Sequence, residues 1–197
     1  MGIAEDLQAF SPFNEQEAAD RDLILERLAA DGSVFERSSL AHMTCSVWTV
    51  DPTFTKTLLV YHSIYDSWSW IGGHADGERD LARVALRELS EETGVAGARL
   101  VPCGPGGLLS CEVLTVDGHV KRGTYVSSHL HLNVTYLAVA DPAEQVRVKA
   151  DENSGVRWVE LDDAITLSSE PWIRERVYRK LIEKARQLAA KGFADAE

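Results

Sequence analysis

Glu88, Glu91 and Glu92 fall within one short stretch, "RELSEETGV", from Arg87 to Val95. Like charges on adjacent helical turns repel by about 0.2–0.5 kcal/mol per pair, and no lysine is interleaved between Gly72 and Val95. On a helix of about 3.6 residues per turn, Ala82, Ala85, Leu86, Leu89 and Thr93 form the packed side. Glu88 and Glu92, four apart, stack on its flank with Glu91 beside them. Three carboxylates are then directed toward one point outside the core. Hard divalent cations such as Mg²⁺ take oxygen ligands and share their shell with substrate phosphates, whereas Zn²⁺ calls for His or Cys. The cluster is therefore either a solvated acidic face or a cation site.

The surrounding residues favour the cation. Arg87-Glu88-Leu89-Ser90-Glu91-Glu92-Thr93-Gly94-Val95 follows the order R-E-U-x-E-E-x-G-U, with U aliphatic, and Gly73 lies fourteen residues before Arg87. In these residues the chain resembles the Nudix hydrolases, whose box reads G-x5-E-x7-R-E-U-x-E-E-x-G-U. Its opening, "GGHADG" from Gly72 to Gly77, is similar to a variant of the box found in some bacterial Nudix proteins. The resemblance spans roughly residues 39–165. One position departs: Arg79 stands where the box has Glu, flanked by Glu78 and Asp80. In the family that glutamate braces the box arginine, and either neighbour is within reach of Arg87 after a small change in the loop.

The resemblance implies an α+β Nudix fold, a mixed sheet sandwiched between helices. It implies Mg²⁺-dependent hydrolysis of a diphosphate linkage in a nucleoside diphosphate joined to another moiety, with Mn²⁺ as a second candidate ion. Glu88, Glu91, Glu92 and the carbonyl of Gly73 would be metal ligands, glycine permitting close backbone approach. Arg87 would position the box, and Glu91 or Glu92 would take part in catalysis. In the MutT-type branch a functional glutamate occupies a loop like the one holding Glu152, which would be a further ligand or the general base. Nucleoside triphosphates and nucleotide sugars such as ADP-ribose are the leading substrates.

Two rival readings remain. A Nudix-like nucleotide sensor would bind without turnover, but such domains lose box carboxylates and this chain keeps all three. A prenyl diphosphate isomerase would need a catalytic cysteine, and Cys45 in "MTCSVW" lacks that enzyme's characteristic surroundings.

Substrate contacts are sought near the box. "SSHLHLNVTYL" alternates, placing His129, His131, Asn133 and Thr135 on one strand face, where histidines suit phosphate contact or proton transfer near neutral pH. His74 follows Gly73 directly. Trp70, like Trp68 two residues earlier, precedes the box and offers a stacking surface. Lys121 and Arg122 lie in the loop before the histidine strand.

Elements must position these groups. Residues 14–31 read as a helix with Asn14 and Glu17 as a capping box and Gly32 as its C-terminal cap. "HMTCSVWTV" and "KTLLVYH" read as strands around a turn at Pro52, and "DSWSW" as a short extended segment ending at a Gly72–Gly73 break. Residues 81–93 form the box helix, closed by Gly94. "ARLVPCG", "GLLSCEVLTV", "SSHLHLNVTYLAVA" and "GVRWVEL" are further strands, with "DGHVKRG" as a connection. Pro171 opens a last helix with Ile173, Val177, Leu181, Ala185 and Leu188 as its apolar stripe. The expected division is an N-terminal helical extension over residues 1–37 and a Nudix domain over 38–197 that includes this helix. The terminal helices either pack on their own domain or build a homodimer.

Composition bounds the rest. The chain has 197 residues, 45% hydrophobic and 26% charged, with 20 basic and 31 acidic residues and a formal charge of −11. That charge argues against a nucleic-acid partner, which requires a basic footprint, but not against a small phosphorylated substrate reached through a metal ion. No apolar run approaches membrane-spanning length, so no membrane partner is expected. Three cysteines without metal-like spacing, and no secretory signal, give a cytoplasmic expectation.

Overall fold

The computed structural model describes residues 2–121 and 123–192. Its centre is a mixed sheet. Strand β1 (Ala41–Val50) runs parallel to β9 (His129–Val139), with His42 opposite His131 and Thr44 opposite Asn133. Antiparallel partners extend it: β2 (Lys56–His62) and β10 (Asn153–Glu160) on one side, β5 (Arg99–Val101) and β6 (Leu108–Val116) along β9. Two short strands follow β2 in sequence. β3 (Ser67–Ser69) pairs with β2, and β4 (Ile71–His74) with β1.

Strand alternation splits the apolar residues between two faces. Met43, Cys45 and Val47 of β1 belong to one core with Leu81, Val84, Ala85 and Leu89 of α3 (Leu81–Thr93). Leu7 of α1 (Ile3–Ala9) and Ile24 of α2 (Glu15–Ala30) join the same core. Trp48 and Val50 face the other way, into a second core with α4 (Leu161–Leu167) and the C-terminal helix α5 (Arg179–Ala190). The expected helix–sheet–helix sandwich is thus observed, and the N-terminal helices contribute buried residues to it.

Several local expectations need correction. Asn14 caps α2 by accepting from the Glu17 amide at 2.9 Å, but α2 ends at Asp31 in an extended conformation. The Asp31 carboxylate then caps a short 3₁₀ turn over Gly32–Phe35, accepting from Ser33 N at 2.8 Å, so Gly32 opens that turn instead of closing the helix. Gly72 and Gly73 are not a break but part of β4. A Cβ on Gly72 would lie 2.6 Å from the Cys45 carbonyl, so only glycine fits beside β1. The "DGHVKRG" connection contains β7 (His119–Lys121), which pairs with β8 (Thr124–Val126) in a separate ribbon. The C-terminal stripe of Ile173, Val177, Leu181, Ala185 and Leu188 is buried, although its first part, Ile173–Tyr178, is wound as a π-helix before α5.

Candidate active site

Helix α3 carries the acidic cluster. Asp80 starts it by accepting from the Arg83 amide at 3.1 Å, and Gly94, at φ 81°, ends it in a left-handed conformation. Its buried residues are Leu81, Val84, Ala85, Leu89, Glu92 and Thr93. The packed stripe includes Val84 and leaves Leu86 half-buried, which rolls the carboxylates relative to the expected flank. Glu88 and Glu92, seven and eleven residues after Leu81, fall on the inward stripe itself. Glu91 does not. It is exposed, and pairs with Lys149 at 3.3 Å and Arg87 at 3.8 Å.

The third member of the cluster comes from the other end of the domain. Glu152 precedes β10, and one carboxylate oxygen from each of Glu88, Glu92 and Glu152 lies within 4.8 Å of the others. Asn153 fixes this meeting: its side-chain amide donates to the Glu92 carbonyl at 3.0 Å. Lys149 Nζ, between Glu152 at 3.0 Å and Glu91 at 3.3 Å, holds positive charge where these carboxylates diverge. Burial, followed by the charges of Glu88 and Glu152, pushes the Glu92 carboxyl up to about 8. Burial also raises Glu88, against the pull of Arg87, which donates to its carboxylate at 3.0 Å. Carboxylates gathered this closely, with pKa values raised by burial and then by one another, are under-neutralised, and a hard divalent ion fits the oxygen donor set. Gly73 belongs to the same place. A Cβ there would lie 2.4 Å from Glu88 Cδ, so β4 backbone and the Glu88 side chain touch.

Arg79 does not enter the site. Its guanidinium lies 4.5 Å over the Phe35 ring. Glu78 accepts from the amides of Arg79 and Asp80 at 2.8 and 3.0 Å, and Asp80 is spent on the helix cap, so the hydrogen bond of Arg87 goes to Glu88.

On the opposite face of β4 a cleft of about 500 Å³ is lined by His74, His129, His131 and Trp70, together with Arg37 and Lys121. Gly72 and Gly73 form part of its wall, so it adjoins the carboxylate cluster. Trp70 packs edge-on against Tyr178, with centroids 5.4 Å apart, and Trp68 is held between Tyr61 and Arg157. Arg37 donates to Asp76 Oδ1 at 2.5 Å, a hydrogen-bonded ion pair that raises the guanidinium pKa. Arg122 lies outside the described residues. His42, which sequence reasoning passed over, reaches the cleft from β1. Its signal was its place two residues before Thr44 on the face that later carries Trp48. Burial lowers His74 to about 3 and His131 to about 2, so both imidazoles are neutral at pH 7. Asn133 and Thr135, on the same strand face, donate to the buried Glu112 carboxylate at 3.1 Å each; Asn133 also lines the floor of the cleft, and Thr135 does not.

Cys45 is wholly buried, and burial pushes its thiol up to about 12. Such a thiol has neither the access nor the acidity for isomerase chemistry. Among the described residues no helix is long and apolar enough to cross a membrane.

Among solved structures, the binary complex of a C. elegans Ap4A hydrolase superposes with a TM-score of 0.51 at 20% identity, covering 76% of this chain and 98% of that one. A NUDIX-family hydrolase from Clostridium perfringens gives 0.52 at 21% identity over 75% and 97%. The E. coli dihydroneopterin triphosphate pyrophosphohydrolase gives 0.52 at 13% identity over 76% and 95%. At such identities the likeness establishes the fold. No curated protein matches the chain in sequence. The family model described as NUDIX domain matches residues 41–181, and that span holds the box, Glu152 and every strand of the main sheet. The chain belongs to the NUDIX domain family, the hydrolases its box residues resemble.

Proposed function

We propose that this Nudix hydrolase cleaves a diphosphate linkage in a small nucleotide-like substrate, with Mg²⁺ or Mn²⁺ held by Glu88, Glu92, Glu152 and the Gly73 carbonyl. The observation that carries the reading is the convergence of three carboxylates from two distant segments beside the Gly73 backbone. A divalent ion held there would supply positive charge to phosphate oxygens and acidify a water for attack on phosphorus. Glu152 is the general base. Its side chain is 35% exposed and so reaches solvent, whereas Glu92 is only 5% exposed and is better placed as a ligand. Glu91, now paired with Lys149 and Arg87, would be a further oxygen ligand if it were freed from Lys149. Arg87 orients Glu88. The cleft takes the rest of the substrate: Trp70 offers an aromatic wall, Arg37 offers N–H donors for phosphate oxygens, and His74, His129 and His131 line the space beside it. Lys121, at the end of β7, lines the same cleft.

The test is a product-release screen over nucleoside triphosphates, nucleotide sugars, dinucleoside polyphosphates and a pterin triphosphate, with Mg²⁺ or Mn²⁺. The last two classes are suggested by the named activities of the structural neighbours. Turnover of at least one class, absent from the Glu88→Gln/Glu92→Gln protein, supports the reading. Tight nucleotide binding with no turnover of any class would favour a nucleotide sensor.

A further inference from the structure

Three neighbouring strands deliver histidines to one point of the cleft. His42 of β1 and His131 of β9 are direct parallel partners, and His74 of β4 is the antiparallel partner of Thr44. Their ring centroids are 5.2, 5.0 and 4.9 Å apart for the pairs 42–74, 42–131 and 74–131. We propose that His42, His74 and His131 form a second cation site, of the imidazole class that selects Zn²⁺ over Mg²⁺, on the cleft side of β4.

Two independent observations point there. One ring nitrogen from each of the three lies within 4.8 Å of the others. Tetrahedral Zn²⁺ with bonds of about 2.0–2.1 Å needs nitrogens roughly 3.3 Å apart, a closure within reach of small ring rotations. The second observation is His42 itself, 2% exposed. Its Nδ1 lies 2.8 Å from the Ser39 carbonyl, which accepts only if Nδ1 carries the proton. Nε2 is then a bare lone pair, and it is buried without any hydrogen-bond partner. Buried polar atoms are rarely left so. An N–H bound to a backbone carbonyl, with the other nitrogen free, is how metal-ligating histidines are usually oriented. His129 differs at the rim: its Nδ1–H donates to the Ser127 carbonyl at 2.8 Å, so its Nε2 accepts from His131 Nε2–H at 3.2 Å, which leaves Nδ1 as the lone pair of His131.

The donor set decides the ion. Neutral imidazoles suit Zn²⁺ and its borderline neighbours, while Mg²⁺ prefers oxygen. Three protein ligands leave the fourth position toward the cleft, open to water or to an anionic group of a bound ligand. The inference does not rest on the hydrolase reading, because it concerns a different ligand set on the other face of β4.

The test uses the full chain, stripped with chelator and dialysed against micromolar Zn²⁺ in excess Mg²⁺, with bound zinc counted. One equivalent is expected in the wild type and in Glu88→Gln/Glu92→Gln. His74→Gln and His131→Gln should bind at least 100-fold more weakly, and His129→Gln should keep its equivalent. Zinc that is lost with the glutamates and kept by the histidine variants would overturn the proposal, as would no stoichiometric zinc in the wild type. Co²⁺ provides a check that needs no variant. Strong visible bands of a four-coordinate ion are expected in the wild type, and only the weak bands of six-coordinate Co²⁺ would contradict it. Metal-free histidine variants should melt with the metal-free wild type, and Zn²⁺ should raise the melting temperature of the wild type, Glu88→Gln/Glu92→Gln and His129→Gln but not of His74→Gln or His131→Gln.

Discussion

The charge of Glu92 carries the most information at the level of single residues. Its carboxyl is raised from an ordinary value of 4.5 to about 8, by burial and by Glu88 and Glu152. The folded state therefore holds this proton more tightly than the unfolded chain. Its contribution to stability is full below about pH 4.5 and is lost as pH rises through 8. Metal-free protein is expected to melt several degrees lower at pH 8.5 than at pH 6, and added Mg²⁺ should remove much of that difference by stabilising the ionised cluster. A metal-free melting temperature that does not fall over this range would contradict the burial of an under-neutralised carboxylate. Glu88 and Glu92 were legible as a pair from their spacing, but their depth was not. Val84 belongs to the packed stripe, and that small roll of the helix turns Glu92 inward and leaves Glu91 with Lys149. Glu152 was found by resemblance alone, because nothing local in "DENSGV" reveals that Asn153 will tie it to the end of α3.

The elements that fix this depth are α3 and β4. The start and end of α3 were readable, since Gly94 supplies the positive φ that a left-handed cap requires. Strand β4 was not, because two adjacent glycines resemble a turn until a neighbouring strand is known to need their bare backbone. The two glycines should respond differently to alanine. In Gly73→Ala the new Cβ meets the flexible Glu88 carboxylate at 2.4 Å. Cation affinity is expected to fall at least about 10-fold, as for disturbed ligand supports, with little loss of melting temperature. In Gly72→Ala the new atom meets the Cys45 backbone oxygen at 2.6 Å, which cannot rotate away. A loss of about 1–3 kcal/mol is expected from such overpacking. Denaturant unfolding beside a Mn²⁺ titration separates the two. Equal stability loss in both variants would contradict the assignment of Gly73 to the cation site.

Across the whole molecule, the N-terminal and C-terminal helices meet over a buried ionic network that the sequence did not announce. Glu17 of α2 is fully buried and lies 2.7 Å from Lys184 and 3.4 Å from Lys180 of α5, while Lys180 also pairs with Glu112 of β6 at 3.0 Å. Burial pushes the Glu17 carboxyl up, but the two ammonium groups outweigh it and hold it low. Glu17 had been assigned only to a capping box. Its carboxylate does accept from the Phe13 amide at 2.5 Å, but its partners on α5 are more than 160 residues away in the chain, beyond any local pattern. Removing one member of a buried pair costs about 3–5 kcal/mol. Glu17→Ala is therefore expected to lower stability by that amount, measured by urea unfolding, with metal affinity per folded molecule unchanged. A change below about 1 kcal/mol would show that the terminal helices are not joined to the sheet in this way.

The central claim, that Glu88, Glu92 and Glu152 hold the ion on which hydrolysis depends, is best tested by measuring Mn²⁺ binding and turnover in the same samples. Wild type, Glu92→Gln and Glu152→Gln are compared on the best substrate of the screen. The account predicts that Glu92→Gln loses both together. It predicts that Glu152→Gln loses about 10²–10⁴-fold in turnover, the range for a general base, with a smaller loss of Mn²⁺ affinity. Full Mn²⁺ binding and full turnover in Glu92→Gln would contradict the carboxylate site outright.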